Sequence, residues 1–148
     1  MKIQLLSTPF DPWLELQTYQ NEHSQFNGKY GAANVFVGTM RDFNQNNDVK
    51  SMVLEHYPEM TSKYLHQIAT EALEKWDILD VLMLHRYGKI EPNDSIVLLA
   101  TWSTHRDAAF AACRYLIEEL KNRAPFWKKE TLLADNSGHW VEKNTPNV

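Results

Sequence analysis

The strongest constraint on the fold is a stripe of apolar side chains that recurs every three or four residues between positions 61 and 76. The stripe consists of Tyr64, Leu65, Ile68, Ala69, Ala72, Leu73 and Trp76. This spacing places all of them on one face of an α-helix, and such a face must be buried against other apolar elements. The sequence therefore predicts a helix over 61–76 that packs on a sheet.

Segments rich in β-branched, aromatic and aliphatic residues predict the strands of that sheet. They cover 2–6, 32–39, 50–57, 81–87, 95–102 and 131–133. A polar, hairpin-like loop at 41–48 precedes the third strand, and Gly88 with the turn 92–94 joins the fourth to the fifth. A further turn is expected at 135–138.

Two more helices have recognisable boundaries. Asp11 followed by Pro12 predicts a helix start, because aspartate is a good N-cap and proline suits the first helical position. The run from Thr104 to Asp107 matches a capping box, and Pro125 marks the end of that second helix. The order of elements predicts one α+β domain over residues 1–148, with helices packed on a mixed, mainly antiparallel sheet.

Composition excludes several classes of function. The net charge of −4 does not draw the chain to nucleic acid or to an anionic membrane. The first residues lack the pattern of a signal peptide, and apolar runs such as 96–100 are far too short to cross a bilayer, so a cytoplasmic protein is expected. The single cysteine, Cys113, excludes an internal disulfide and a cysteine-rich zinc site, and its place on the inward helix face predicts an inert core thiol.

One segment reverses the sign of the charge. Between positions 105 and 129 six basic residues outnumber three acidic ones on an otherwise acidic chain. His105 and Arg106 stand at a predicted helix start, where free N–H groups already favour an anion such as phosphate. A solvated helix face remains the alternative explanation for this segment.

Lysines and an arginine supply further candidates for an anion site. Lys121 lies in the last helical turn, and Lys128 follows after the chain reversal at Pro125, so both ammonium groups can face one pocket. Two close lysines repel, which lowers the pKa of one of them toward the range useful in catalysis. Arg41, just past a strand end and near Gly38, also suits an anion. A favourable lysine at a helix C-terminus is the alternative for Lys121.

Metal chemistry is not expected. His56, His66 and His85 lack the spacing of metal ligands, and His139 stands alone, so structural histidines are the better interpretation. Phe126 and Trp127 are interpreted as core or interface residues.

Five blocks of sequence together resemble one family, the large, catalytic subunit of molybdopterin synthase (MoaE). The blocks are FVGTMR at 36–41, LEHYP at 54–58, HRYG at 85–88, STHR at 103–106 and LKNRAPFWKKE at 120–130. The resemblance extends from about Gly31 to Trp140. It implies an α/β hammerhead-like sandwich and no cofactor.

The resemblance also implies an activity and partners. The family converts a cyclic pyranopterin monophosphate into the dithiolene of molybdopterin. Its sulfur is carried as a C-terminal thiocarboxylate by a small ubiquitin-like, MoaD-like subunit. Two large subunits form a central dimer within a heterotetramer. A single thiol cannot supply two sulfurs, so a donor in another chain suits the cysteine count.

Residue by residue, the resemblance implies that Lys121 and Lys128 are catalytic. It also implies a substrate site, which comprises Thr39, Met40, Arg41, His105, Arg106, Lys129 and Glu130. Glu59 and Asn93 depart from the family pattern, where glycine is common, and both lie in expected turns.

Two other functions compete with this one. A non-catalytic module that grips the tail of a ubiquitin-like protein could use the same basic pocket without turnover. A phosphate-ester enzyme unrelated to sulfur lacks metal-ligand spacing or an activated nucleophile in this sequence. The sequence favours the synthase, because docking alone does not require both lysines, Lys121 and Lys128, beside Arg41 and His105.

Overall fold

The computed structural model describes residues 1–44, 47–133 and 137–141, and three α-helices separate groups of strands along them. The helices are α1 (Pro12–Glu22), α2 (Pro58–Lys75) and α3 (Arg106–Arg123). The strands are β1 (Lys2–Leu6), β2 (Ala32–Thr39), β3 (Phe43–Asn44), β4 (Asn47–His56), β5 (Ile78–Arg86), β6 (Gly88–Ile90), β7 (Ser95–Ser103), β8 (Phe126–Leu132) and β9 (Gly138–Trp140).

The strands form two sheets. The first has the order β1-β5-β7-β2, and within it β1 runs parallel to β5 while the other pairs are antiparallel. The second is antiparallel, with the order β3-β4-β8-β9 and with β6 paired to β4. The predicted class, helices on mixed and mainly antiparallel strands, is confirmed, although the strands divide between two sheets instead of forming one.

Helices cover both faces of the first sheet. On one face α2 and α3 pack through Leu65, Ile68 and Leu116 against Val81 and Met83 of β5. This arrangement confirms the predicted apolar stripe of α2. On the other face α1 packs against the sheet through its buried Tyr19, which lies in one apolar cluster with Leu82 of β5 and Trp102 of β7. Asp11 caps α1 as predicted, because its carboxylate accepts hydrogen bonds from the N–H groups of Trp13 and Leu14.

A third apolar cluster lies between the two sheets. Its buried members are Met40, Val49, Met52, Leu54 and Ile90, and Ile96, Phe126 and Leu132 pack against them. The cluster joins the end of β2 to β4 and β8. It therefore fixes the distance between two segments that carry candidate functional residues.

The predicted start of the third helix is wrong. The helix begins at Arg106 with His105 as its N-cap, and no side chain caps it, so Thr104 does not open a capping box. The N–H of Gly31 donates to the carbonyl of Ser103 at 3.0 Å, and a Cβ on Gly31 would lie 2.5 Å from the carbonyl oxygen of Thr104. Residues 103–104 are therefore held against the start of β2, which delays the helix.

Other boundaries also differ from expectation. The helix expected from 61 begins at Pro58, and the strand expected at 131–133 begins at Phe126, because its pairing with β4 extends back to His56. The short strand β6 was not predicted. Positions 135 and 136 of the expected turn lie outside the described residues, as do positions 45 and 46 of the expected loop.

None of the helices in the described part of the chain combines the length and apolarity that a membrane crossing requires. Cys113 lies in the core, as expected, and burial raises the pKa of its thiol to about 11.

Candidate active site

A cavity of about 410 Å³ opens where the C-terminal end of α3 meets the end of β2 and the inner face of β8. Its polar lining includes Thr39, Arg41, Asn44, His85, Lys121, Asn122, Lys128 and Glu130. Its apolar lining includes Phe36, Met40, Phe43, Met52, Leu54, Ile117, Leu120 and Phe126. The cavity therefore combines an apolar body with several cations, which suits an aromatic ligand that carries negative charge.

The two lysines reach the cavity from both sides of one chain reversal. Burial of Leu116 and Leu120 orients the last turn of α3, so Lys121 follows at the cavity edge. The helix ends at Arg123, Ala124 adopts an extended conformation before Pro125, and β8 starts at Phe126. Lys128 then faces the same cavity from β8. The predicted convergence of these two residues is present in the structure.

The environment of Lys128 disfavours its charged form. Burial lowers the pKa of Lys128, and the nearby charges of Lys121 and Arg41 lower it further, while the carboxylate of Glu130 acts in the opposite direction. The sequence predicted a lowered pKa for one of the two lysines from their mutual repulsion. In the structure burial is the larger cause.

Arg41 is presented by the chain just beyond β2. Gly38 allows this strand to lie close to β7, since a Cβ there would approach Val97 Cγ1 to 2.8 Å. Met40 is buried in the cluster between the sheets, and the guanidinium of Arg41 lies 5.0 Å from the ring centroid of Phe43. Arg41 is thus held at the cavity by packing on both sides.

A carboxylate balances part of this positive charge. The Asn44 side-chain amide donates a hydrogen bond of 2.9 Å to Glu130 Oε1, which joins β3 to β8 across the cavity wall. Because the amide holds the carboxylate in place, Glu130 stays within reach of Lys128.

His85 contributes a neutral surface to the cavity. Its Nδ1–H donates to the carbonyl of Arg86 at 2.7 Å, and its ring stacks on Phe126 with centroids 4.2 Å apart. Burial lowers the pKa of His85 to about 4; the charge of Lys128 adds to this effect, and the hydrogen bond to Arg86 opposes it. The imidazole is therefore uncharged at neutral pH.

Three predicted site residues lie away from this cavity. His105 and Arg106 are exposed at the other end of α3, about 22 Å from Lys121 at about 1.5 Å per helical residue. Lys129 points to the opposite face of β8, where its ammonium lies 5.7 Å from the ring centroid of Trp140. The expectation that Lys129 lines the cavity is not met, because successive strand residues face opposite sides.

Sequence reasoning missed several lining residues. Phe43, Asn44 and His85 were not proposed as site residues, and Phe126 was assigned to core or interface packing. Strand alternation was a usable signal: a strand starting at 126 places Phe126, Lys128 and Glu130 on one face. The position of Asn44 depends on long-range pairing of β4 with β8, which no local pattern shows.

In the part of the chain that the structure describes, no three His, Cys, Asp or Glu side chains gather closely enough to hold a metal ion.

Comparison with known proteins gives a consistent result. Residues 11–123 match the family of MoaE proteins. A molybdopterin synthase catalytic subunit from Pseudomonas aeruginosa is 46% identical over 96% of this chain and 91% of that protein. One from Ralstonia nicotianae is 48% identical over 76% of this chain, a match that spans 62% of that longer protein.

Solved structures share the fold. Molybdopterin synthase from Staphylococcus aureus is 31% identical, with a TM-score of 0.81 over 95% of this chain and 98% of that one. A complex of subunits 1 and 2 of molybdopterin-converting factor from Helicobacter pylori is 21% identical, with a TM-score of 0.78 over 97% of this chain and 92% of that one. The fold and its cavity define an α+β protein with a pocket whose lining suits an anionic, partly apolar ligand. The chain belongs to the MoaE family.

The low pKa of His85 predicts a pH-dependent stability. Between about pH 6.5 and pH 4 the unfolded chain binds a proton at this residue and the folded chain does not. The free energy of unfolding should therefore fall by up to about 3 kcal/mol from this residue as the pH drops from 7 to 4. In His85→Gln, the free energy of unfolding, measured by urea denaturation at a series of pH values, should depend less steeply on pH than in the unmodified protein.

The exposed His66 provides the control for this experiment. In His66→Gln the free energy of unfolding should depend on pH as it does in the unmodified protein. Equal slopes in His85→Gln and the unmodified protein would contradict the neutral, buried imidazole.

Proposed function

We propose that this chain is the catalytic, sulfur-inserting subunit of a molybdopterin synthase. In this reaction a cyclic pyranopterin monophosphate gains two dithiolene sulfurs, delivered by the thiocarboxylated C-terminus of a small ubiquitin-like subunit. The observation that carries the proposal is the cavity that gathers Lys121, Lys128 and Arg41 around one apolar space. Both the phosphorylated substrate and the thiocarboxylate are anionic, and the pterin ring suits the aromatic lining.

The source of sulfur must lie outside this chain. Cys113 is buried, and its pKa of about 11 keeps it protonated, whereas the thiolate is the reactive form of cysteine. This supports a donor subunit whose tail enters the cavity. The Helicobacter pylori complex, which shares the fold, joins two subunits of a molybdopterin-converting factor.

The two lysines take different roles. Lys121, at the exposed edge of the cavity, acts on the thiocarboxylate and the reacting carbon, as acid and base or as a transient acyl acceptor. Lys128 is the more buried of the two, and it orients the reacting groups and stabilises developing negative charge. The lowered pKa of Lys128 also means that it gives up its proton more readily than an exposed lysine does.

Arg41 binds the substrate anion, because its planar guanidinium can donate two hydrogen bonds to one phosphate group. Thr39, Met40 and Glu130 line the same space. A module that only grips a protein tail requires neither a substrate-sized aromatic cavity nor a second, buried lysine, so the enzyme is the better explanation. We place this activity in the cytoplasm.

His105 and Arg106 complete the site from a second copy of the chain. They lie too far from Lys121 along α3 for one small substrate to contact both ends of the helix in one chain. In a central dimer of large subunits, each flanked by one small subunit, α3 of one copy can present its N-terminal end to the cavity of the other. Free N–H groups at that end favour a phosphate.

Lys121→Ala should abolish dithiolene formation while the fold and the binding of the small subunit stay intact, because the amine beside the reacting carbon is lost. The measurement is product formation after mixing with the pterin precursor and thiocarboxylated small subunit. The exposed Lys63 on α2 offers a control, and Lys63→Ala should be fully active. Normal turnover by Lys121→Ala would remove the proposed role of Lys121, whereas a lack of turnover by the unmodified protein would favour the non-catalytic module.

Arg41→Ala should weaken binding of the phosphorylated pterin by about 1.5 to 3 kcal/mol, the usual loss for a hydrogen bond to a charged group. Calorimetric titration of the substrate measures this change directly. An unchanged dissociation constant would contradict the role of Arg41 as a clamp.

Mixing two inactive variants tests the shared site. Chains with Lys121→Ala should be inactive and chains with Arg106→Ala nearly inactive alone. Their mixed dimers should regain activity, because one of the two sites then has both sets of residues. Co-refolding the two chains and measuring product provides the test. No recovery in verified mixed dimers would show that Arg106 does not act across the dimer.

A further inference from the structure

We propose that the buried Arg86 is a positioning residue for substrate binding, because it holds the turn 91–94 that fixes the backbone immediately before Arg41. The inference rests on the proposed function, in which Arg41 binds the substrate anion. Three steps connect Arg86 to Arg41.

The first step is the support of Met40. The pairing of β2 with β7 shifts register between Gly38 and Thr39 and ends with the pair Thr39–Ser95, so Met40 lies beyond the sheet. The turn takes over: Met40 N–H donates to the carbonyl of Asp94 at 2.9 Å, and Asn93 N–H donates to the carbonyl of Met40 at 2.8 Å. Both backbone polar groups of Met40 are therefore bonded to the turn, and Arg41 follows directly.

The second step is the internal geometry of the turn. The N–H of Glu91 donates to Asp94 Oδ2 at 3.0 Å, and the N–H of Asp94 donates to the carbonyl of Glu91 at 3.0 Å. Asn93 adopts a left-handed conformation with φ of 74°. Asparagine tolerates this region and a β-branched residue does not, so Asn93 can stand where the family commonly has glycine.

The third step is the attachment of the turn to the first sheet through Arg86 at the end of β5. Arg86 Nη2 donates to the carbonyl of Lys89 at 2.7 Å, and Nη1 lies 3.9 Å from Asp94 Oδ2. The residue is only 2% exposed. Asp94 Oδ2 thus lies beside the guanidinium of Arg86 and also accepts the hydrogen bond from Glu91 N–H that closes the turn.

The energetics of Arg86 favour a role in positioning over one in stability. Among the described residues its Nε and Nη1 atoms have no hydrogen-bond partner, and a buried, incompletely bonded guanidinium is costly. An apolar side chain would fill the space at less cost. What only the guanidinium provides is a fixed relation between β5, the carbonyl of Lys89 and the carboxylate of Asp94.

The test compares kcat and KM for the pterin precursor in the assay with thiocarboxylated small subunit. Arg86→Gln should raise KM roughly five- to tenfold while kcat changes less than about twofold, since only the placement of Arg41 is lost. Added to Arg41→Ala, the same change should raise KM no further. Lys89→Ala removes an exposed ammonium from the same segment and should leave both constants unchanged.

A second pair of variants acts on the turn without touching the buried charge. Asn93→Val should raise KM as Arg86→Gln does, because valine resists the left-handed conformation, and Asn93→Gly should match the unmodified protein. The KM effect of Asn93→Val should also vanish in the Arg41→Ala background. This pair decides the question even where Arg86→Gln does not fold.

Two results would overturn the inference. One is a KM that stays unchanged in Arg86→Gln and Asn93→Val while Arg41→Ala raises it, which leaves the proposed function intact. The other is a loss of kcat on Arg86→Gln that is equally large in the unmodified protein and in the Arg41→Ala background, which indicates a merely structural role. Failure of the unmodified protein to form product, or a normal KM in Arg41→Ala, would remove the proposed function and this inference with it.

Discussion

Repulsion among like charges is the constraint around which this structure is organised. Lys121, Lys128 and Arg41 converge on one partly buried cavity, and such a cluster is unfavourable unless packing and a counter-charge hold it together. Packing is supplied by the apolar cluster between the two sheets, which joins the end of β2 to β4 and β8. The counter-charge is Glu130, fixed by the amide of Asn44.

Much of the fold was predictable from local patterns. The stripe of α2, the cap at Asp11 and the bounds of β2 all follow from periodicity and from residue type, and the structure confirms them. The convergence of Lys121 and Lys128 was also predictable, because Pro125 enforces a reversal between them. These features depend on residues that are close together in the sequence, so the local pattern of residue types is enough to predict them.

The features that escaped prediction depend on distant contacts. The start of α3 is displaced because residues 103–104 pack against Gly31, which lies more than seventy positions earlier. Strand β8 is longer than expected because β4 pairs with it as far back as His56. That extension decides which side chains of 126–130 enter the cavity and leaves Lys129 outside it. Local propensity contains no information on either pairing.

The stacking of His85 on Phe126 has a consequence for how the cavity changes charge. An imidazole exposed to water would gain a proton on mild acidification and would attract anions more strongly. Here desolvation suppresses that gain until about pH 4. The imidazole on the inner wall of the cavity thus stays uncharged through weakly acidic conditions. Retention and release of a phosphorylated ligand therefore depend on the amines and the guanidinium.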